Sequence, residues 1–333
     1  MNSAETRAQF QKDLDEICRS LIRAYRLEFT EAVSNLADPL CRWLDFRLRY
    51  IDPIPRTVFL STKFPKRLPE AVAQGLDELK RKIQVGEDVN GYQSKTLIRF
   101  HDFSGKKHSK RTDLLWADWG IMHLHITDLP IPEGQFFSDR KCSSGESWLL
   151  FCLVAGDTVG FIDVRPHDDA DLFQDKDLIL TVRQSWPDYL DQFKLHGLIG
   201  SEENLTATEI ATLRRNGINP PLSLGDEMFM GPGMGIASSV TPAIVTDREI
   251  RVRDWVDRLA DAVADEDEIV WRELRARDVK KPEFSLIRLT QGLAVYEESI
   301  KTAFAFNFKS EADAYSQEMV SLIYPFWARH VID

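Results

Sequence analysis

Three apolar stretches in the middle of the chain decide the fold: Trp119-Gly-Ile-Met-His123-Leu-His125-Ile126, Trp148-Leu-Leu-Phe-Cys-Leu-Val154 and Thr158-Val-Gly-Phe-Ile-Asp-Val164. Each is short, rich in apolar residues and bounded by turn-forming or polar residues, which is typical of a strand. Gly156-Asp157 lies between the second and third stretches and favours a tight turn. The sequence therefore predicts three consecutive strands of a mainly antiparallel sheet. They lie within two strand-like regions, 95–127 and 147–164, and residues 128–146 between them, which contain Pro, Gly and Ser, predict a surface loop.

The regions on either side of this sheet show different patterns of apolar and charged residues. Apolar residues recur at helical spacing before residue 90, where Asp38-Pro39 predicts a helix start and Gly86 a helix end. After residue 196, a long charged helix is predicted over 248–276, followed by two or three strands and a final helix. We expect an α+β protein with a helical N-terminal part, a central mainly antiparallel sheet and a mixed C-terminal part. The corresponding segments are 1–90, 91–195 and 196–333.

Composition limits the broad class of the protein. The chain has 333 residues, of which 43% are hydrophobic and 29% charged, as in ordinary soluble proteins. No run of apolar residues is long enough to span a membrane, and the polar N-terminus has no apolar signal core. We therefore expect a cytoplasmic protein without a membrane partner. The net charge of −11 argues against non-specific coating of nucleic acid, although a local basic patch could still bind it.

The first predicted strand carries two histidines separated by one residue. Side chains alternate along a strand, so His123 and His125 point to the same face and could share one ligand or metal ion. His167, just past the third strand, is the third candidate. We expect it to reach His125 only if the sheet twists or the middle strand is short. The alternative is that both strand histidines form local hydrogen bonds on the sheet face.

Two sets of basic residues are candidates for binding phosphate. The densest basic run comprises Lys106, Lys107, Lys110 and Arg111, which could neutralise an RNA or DNA backbone. Arg165 follows the third strand and could stabilise charge that develops on a phosphorane, while His167 could donate or accept a proton. In both cases the alternative is a solvated loop or turn.

Known cofactor and metal motifs are missing from the sequence. There is no metal-binding His-Glu-x-x-His or paired-cysteine spacing, so we expect no cofactor, and a metal bound by the two strand histidines has little support. The four cysteines lie far apart, and buried reduced thiols are the expected state. Gly231-Pro-Gly-Met-Gly235 lacks the features of a phosphate-binding loop and favours a hairpin turn.

The stretch from Lys107 to His167 resembles the sheet of small bacterial RelE/ParE-like toxins. The similarity lies in Trp119-Gly-Ile-Met-His123-Leu-His125, Leu150-Phe-Cys-Leu-Val154 and Val159-Gly-Phe-Ile-Asp-Val164 with His167, and it covers about a fifth of the chain. The resemblance implies metal-independent cleavage of messenger RNA by basic and aromatic residues. The residues it implicates are Lys107, Arg111, His123, His125, Arg165 and His167.

Three functions follow as hypotheses. The first is a ribonuclease-like hydrolase or toxin-like effector, acting in a toxin–antitoxin or antiviral defence setting. In it, His123 or His125 is the general base, His167 the acid, and Arg165 with Lys107 neutralises phosphate. The second is a non-catalytic protein-interaction subunit of a larger complex, and the third is a metal-dependent hydrolase that uses the histidine pair.

Overall fold

The computed structural model describes residues 2–30, 37–99, 114–169, 176–200, 205–206, 209, 212–213, 218, 220–237, 241–265, 269–306 and 313–330. The α-helices in these ranges are α1 (Ser3–Ala24), α2 (Pro39–Arg47), α3 (Glu70–Val85), α4 (Leu114–Trp119), α5 (Lys176–Ser185), α6 (Pro187–Asp191), α7 (Ala243–Ala264), α8 (Ile269–Ala276) and α9 (Ala314–Ile323). The strands are β1 (Thr57–Leu60), β2 (Ile121–Ile126), β3 (Trp148–Ala155), β4 (Thr158–Pro166), β5 (Leu222–Leu224), β6 (Glu227–Phe229), β7 (Phe284–Leu289), β8 (Gly292–Glu297) and β9 (Thr302–Ala305). This mixture confirms the predicted α+β class with mainly antiparallel sheets.

The chain forms two compact units, one made of residues 1–49 with 245–333 and the other of residues 50–244. This grouping differs from the segments 1–90, 91–195 and 196–333, because α1 packs against both its neighbour α2 and the distant strand β7. Contacts between the two ends of a chain leave no local signal in the sequence.

The unit that joins the chain ends is built on the apolar face of α1. That face is fully buried at Phe10, Leu14 and Leu21, and the indole of Trp43 on α2 donates a hydrogen bond to the carbonyl of Leu322 at 2.9 Å. Strands β7, β8 and β9 form a separate antiparallel sheet, within the predicted two or three strands. The helix expected over 248–276 is two helices, α7 and α8, on either side of residues outside the described ranges.

The central unit contains a four-stranded sheet with the order β1-β4-β3-β2. Strands β2, β3 and β4 form the predicted antiparallel meander, and β1 adds a parallel edge strand beside β4. Residues 95–127 were expected to be strand-like, but within the described part only β2 is a strand. Lys95–Leu97 is a 3-10 turn, where Ser94 accepts a hydrogen bond from the amide of Thr96. Residues Leu114–Trp119 form α4, which ends at Gly120 with a positive φ of 68°.

The glycine-rich segment 231–235 packs closely against the end of α4. The amide of Gly233 donates to the carbonyl of Asp118 at 2.9 Å, and a side chain on Gly231 would overlap that same carbonyl. The hairpin turn predicted at 231–235 is therefore wrong for the described residues; the hairpin in this region is β5 paired with β6, which ends before Gly231. These glycines therefore permit close backbone packing beside the start of β2.

All four cysteines are free and buried, as expected. Burial raises the pKa of the Cys152 thiol to about 12, so that thiol is not a nucleophile near neutral pH.

Among the helices that the structure describes, none combines the length and apolar character needed to cross a bilayer.

Candidate functional site

The candidate site lies at the sheet edge where β2 and β4 end and β3 begins. His125, Leu149 and Arg165 occupy one cross-strand row, and His123, Phe151 and Asp163 occupy the row two positions away. Directly opposed residues in an antiparallel pair project to the same face, so the polar members of both rows lie on one side of the sheet.

The direction of the strands brings His167 to the same edge. Both β2 and β4 run antiparallel to β3, so they run parallel to each other and their C-terminal ends coincide. No unusual twist or short middle strand is needed, and the expectation that these were required is wrong. It overlooked that the first and third strands of a meander have the same direction.

Three imidazoles, which we call the histidine cluster (His123, His125 and His167), meet at this edge. The rings of His125 and His167 stack with centroids 5.6 Å apart and planes inclined by 21°. The rings of His123 and His125 have centroids 6.0 Å apart and meet edge to face. His125 is only 2% exposed, whereas His123 is half-buried and His167 is exposed. A ligand would therefore meet His167 and His123 first and His125 at the base.

The loop between β2 and β3 contributes to the site through residues 140–147, which we call the loop strap. Thr127, two residues after His125, donates from its hydroxyl to the carbonyl of Lys141 at 2.7 Å. The Ser147 hydroxyl donates to the carbonyl of Arg140 at 2.9 Å, and the Ser147 carbonyl accepts from the amide of His167 at 2.8 Å. These bonds hold the loop strap between the ends of β2 and β4.

Arg140 is a site residue that sequence reasoning missed. The 128–146 loop was expected to lie on the surface, and one arginine among its Pro, Gly and Ser residues gives no periodic or motif signal. Its place beside the histidine cluster follows from the side chain-to-backbone hydrogen bonds of Thr127 and Ser147, which sequence spacing does not reveal.

Basic side chains crowd together at this edge and repel one another's positive charge. Burial lowers the pKa of His125 to about 3, and repulsion from His123, Arg140 and His167 adds to this shift. Burial also lowers the pKa of His167, with His123 and Arg140 acting in the same direction and only Asp168 opposing them. The pKa of Arg140 is itself lowered by burial and by the charge of Arg99. A bound anion would relieve this repulsion.

Two polar atoms beside the cluster are buried and unsatisfied. Nδ1 of His125 and Nε of Arg140 have no hydrogen-bond partner among the residues that the structure describes. A buried polar atom without a partner costs about 1–3 kcal/mol, and such atoms in native proteins call for an explanation. A polar ligand at this edge would supply the missing partners.

Arg165, which the sequence predicts to stabilise charge on a phosphorane, pairs with a carboxylate of its own strand. Its Nε donates to Oδ2 of Asp163 at 2.6 Å, and both side chains are about one-fifth exposed. Its charge is therefore largely balanced within β4. Lys106, Lys107, Lys110 and Arg111 lie outside the described residues, and their role in binding substrate stays a prediction.

The third hypothesis is a metal site built on the histidine pair. Within that part of the chain, no three His, Cys, Asp or Glu side chains form a group suited to hold a metal ion. The metal hypothesis thus depends on the His-x-His spacing alone.

Neither a protein-family model nor a curated protein nor a solved structure matches this chain. The resemblance to RelE/ParE-like toxins accordingly stays a prediction, and the functional argument depends on the site itself.

Proposed function

We propose that the chain is a metal-independent, ribonuclease-like enzyme that cleaves RNA phosphodiesters in the cytoplasm. The single observation that supports this most directly is the histidine cluster, in which the His125 and His167 rings stack at 5.6 Å beside His123. Two or more imidazoles around one anion-attracting edge can supply both the base and the acid that phosphodiester cleavage needs. The toxin-like or defence setting belongs to the same proposal.

The pKa directions assign different roles within the cluster. An effective general base or acid has a pKa near the working pH, so His125, with a pKa of about 3, is unsuited to exchange protons. We assign proton transfer to His123 and His167, and hydrogen bonding to His125. Since the pKa of His167 is lowered, His167 is neutral at pH 7 and suited to be the base. This reverses the role of His167 expected from the sequence.

The proposed reaction is an internal transesterification. His167 takes the proton from a ribose 2′-hydroxyl, whose oxygen attacks the adjacent phosphorus, and the bond from phosphorus to the 5′-oxygen breaks. His123 acts as the acid and gives a proton to that leaving oxygen. The products are a 2′,3′-cyclic phosphate and a 5′-hydroxyl end, and no oxidant or metal is consumed. The cationic side chains of the edge stabilise the phosphorane-like transition state.

The decisive experiment is incubation of the purified chain with total RNA and with a defined oligonucleotide, with and without EDTA. We expect cleavage in both conditions and 2′,3′-cyclic phosphate ends by mass spectrometry. Loss of cleavage only with EDTA would move the reaction to the metal-dependent alternative. No cleavage in either condition would contradict the enzyme proposal.

A second candidate function is that of a protein-interaction subunit. The observation that favours it is β1, a strand at one end of the sheet order, where Phe59 is 49% exposed and Leu60 50% exposed. Exposed apolar residues on a sheet edge are suited to pair with another chain. A partner recovered with the native chain, lost with Phe59→Glu and Leu60→Glu, and retained by a triple histidine variant would favour this function over catalysis.

A further inference from the structure

We propose that Arg140 and His125 form a binding site for a tetrahedral oxyanion, and that in the working enzyme this anion is the phosphodiester of RNA. The inference deepens the proposed function and depends on it only for the identity of the natural ligand. It assigns phosphate binding to an arginine in the loop between β2 and β3, whereas the sequence assigned it to Arg165 and the basic run.

The first support is the covalent and hydrogen-bonded frame that holds Arg140. The neighbouring carbonyl of Lys141 accepts from Thr127 at the end of β2, and the carbonyl of Arg140 itself accepts from Ser147. Cys142 strengthens the frame, because its amide donates to the carbonyl of Glu146 at 2.8 Å. A binding residue that is held on both sides loses little conformational freedom when a ligand arrives.

The second support is the pair of unsatisfied nitrogens. Within the described chain, Nε of Arg140 and Nδ1 of His125 are buried and lack partners, and His125 is 98% buried as a residue. Neutral imidazole can carry a proton on Nδ1, and the guanidinium always carries one on Nε, so both atoms can act as donors. An oxyanion accepts hydrogen bonds from several directions and can satisfy both.

The third support is the contrast between the arginines of the edge. Arg165 donates to Asp163 at 2.6 Å, so it already has an anionic partner. Among the described residues, the charged side chain that shifts the pKa of Arg140 is Arg99, which has the same sign. Arginine binds phosphate well because its planar fork of donors matches the oxygens. Of these arginines, Arg140 therefore gains the most from an added anion.

The test separates anion binding from RNA cleavage. Inorganic sulfate and inorganic phosphate are titrated into the full chain by calorimetry, and histidine resonances are followed by NMR. The same titrations use a short RNA oligonucleotide whose 2′-oxygens are methylated, which prevents attack on the phosphorus. The variants are Arg140→Gln, Arg140→Lys and the matched control Lys281→Gln, which removes the same charge from an exposed side chain outside the candidate site.

We expect Arg140→Gln to weaken sulfate and oligonucleotide binding by about tenfold or more, the loss typical of a removed charge-assisted hydrogen bond. Arg140→Lys should restore only part of it, because an ammonium group lacks the planar fork, and Lys281→Gln should bind as the parent does. Binding that is equally strong in Arg140→Gln, or no anion binding by a folded parent chain, would overturn the inference. Arg140-dependent sulfate binding without binding of the oligonucleotide would support the anion site and reject RNA as its ligand. Arg140-dependent binding without RNA cleavage would uphold this inference and reject only the catalytic proposal.

Discussion

The imidazole of His125 on β2 stacks against that of His167 just beyond β4, with ring centroids 5.6 Å apart, although the two residues are separated by an intervening strand. Across β3 the register pairs His125 with Leu149 and Leu149 with Arg165, so His167 lies two residues past the row of His125. The His125 ring is buried, whereas His167 is exposed. His125 is therefore suited to hydrogen bonding and His167 to proton exchange.

The first prediction concerns the proton-transfer residues. His167→Ala and His123→Ala should each lower RNA cleavage by at least about 100-fold, because general acid–base catalysis contributes about 10²–10⁴-fold. Cleavage rates are measured on a defined oligonucleotide across pH. The control is His196→Ala, which changes an exposed histidine outside the cluster and should cleave normally. Equal activity of His167→Ala and the control would remove His167 from the mechanism.

The second prediction separates stability from function at His125. His125 is only 2% exposed, so His125→Ala would leave a cavity as well as remove the ring. His125→Leu instead fills the space and removes the unsatisfied Nδ1. We expect its free energy of unfolding to stay within about 1 kcal/mol of the parent, because removal of an unpaired buried polar group is nearly neutral. Its anion binding and RNA cleavage should be lost.

The comparison for that prediction is Leu150→Ala on β3. Leu150 is fully buried between Leu124 and Val164, and its truncation should cost about 2–5 kcal/mol. Denaturant unfolding of both variants provides the measurement. If His125→Leu is destabilised as much as Leu150→Ala, His125 holds the fold together and its proposed ligand role fails.

The third prediction concerns Arg165. Because its guanidinium pairs with Asp163, Arg165→Gln should reduce anion binding less than Arg140→Gln does. The stability change should also be small, since partly exposed ion pairs contribute about 0–1 kcal/mol. Asp163→Asn provides the matched test, because it removes a negative charge beside Arg165 and should strengthen anion binding. Weaker anion binding by a folded Asp163→Asn chain would show that the carboxylate itself serves the site.

The fourth prediction is a pH dependence of stability that originates at His125. The unfolded chain binds the histidine proton with a pKa of about 6.5, whereas burial lowers the folded-state pKa to about 3. Between these values the unfolded state binds more protons, so the contribution of His125 is fully present above about pH 6.5 and is lost as the pH falls toward 3. The slope approaches about 1.4 kcal/mol per pH unit.

The variant His125→Gln isolates this contribution from other titrating groups. Buried carboxylates such as Asp13 and Glu249 have raised pKa values and therefore act in the opposite direction in both proteins. Unfolding free energies are compared near pH 7 and near pH 5. We expect the parent to lose about 2 kcal/mol more than His125→Gln over this interval. Parallel losses in the two proteins would show that His125 is not buried as a neutral ring.

Much of the fold follows from local sequence patterns. The apolar runs around His123, Leu150 and Phe161 predicted three strands, because strand periodicity and turn residues act over a few positions. The same rules predicted α3 and its end at Gly86, which has a positive φ of 78°. They failed at Lys95–Leu97 and at Leu114–Trp119, where a 3-10 turn and α4 replace the expected strand structure, because a short apolar run does not distinguish a helix from a strand.

The candidate site was only partly predictable, because local patterns do not reveal contacts between residues far apart in the chain. Alternation along β2 determined that His123 and His125 share a face, and the position of His167 after the third strand marked it as a candidate. Only the tertiary structure decided that His125 is buried, that Arg165 is paired with Asp163, and that Arg140 lies beside the cluster. Burial and charge pairing depend on groups far apart in the chain, and the loop that carries Arg140 is held by side chain-to-backbone hydrogen bonds that follow no sequence period.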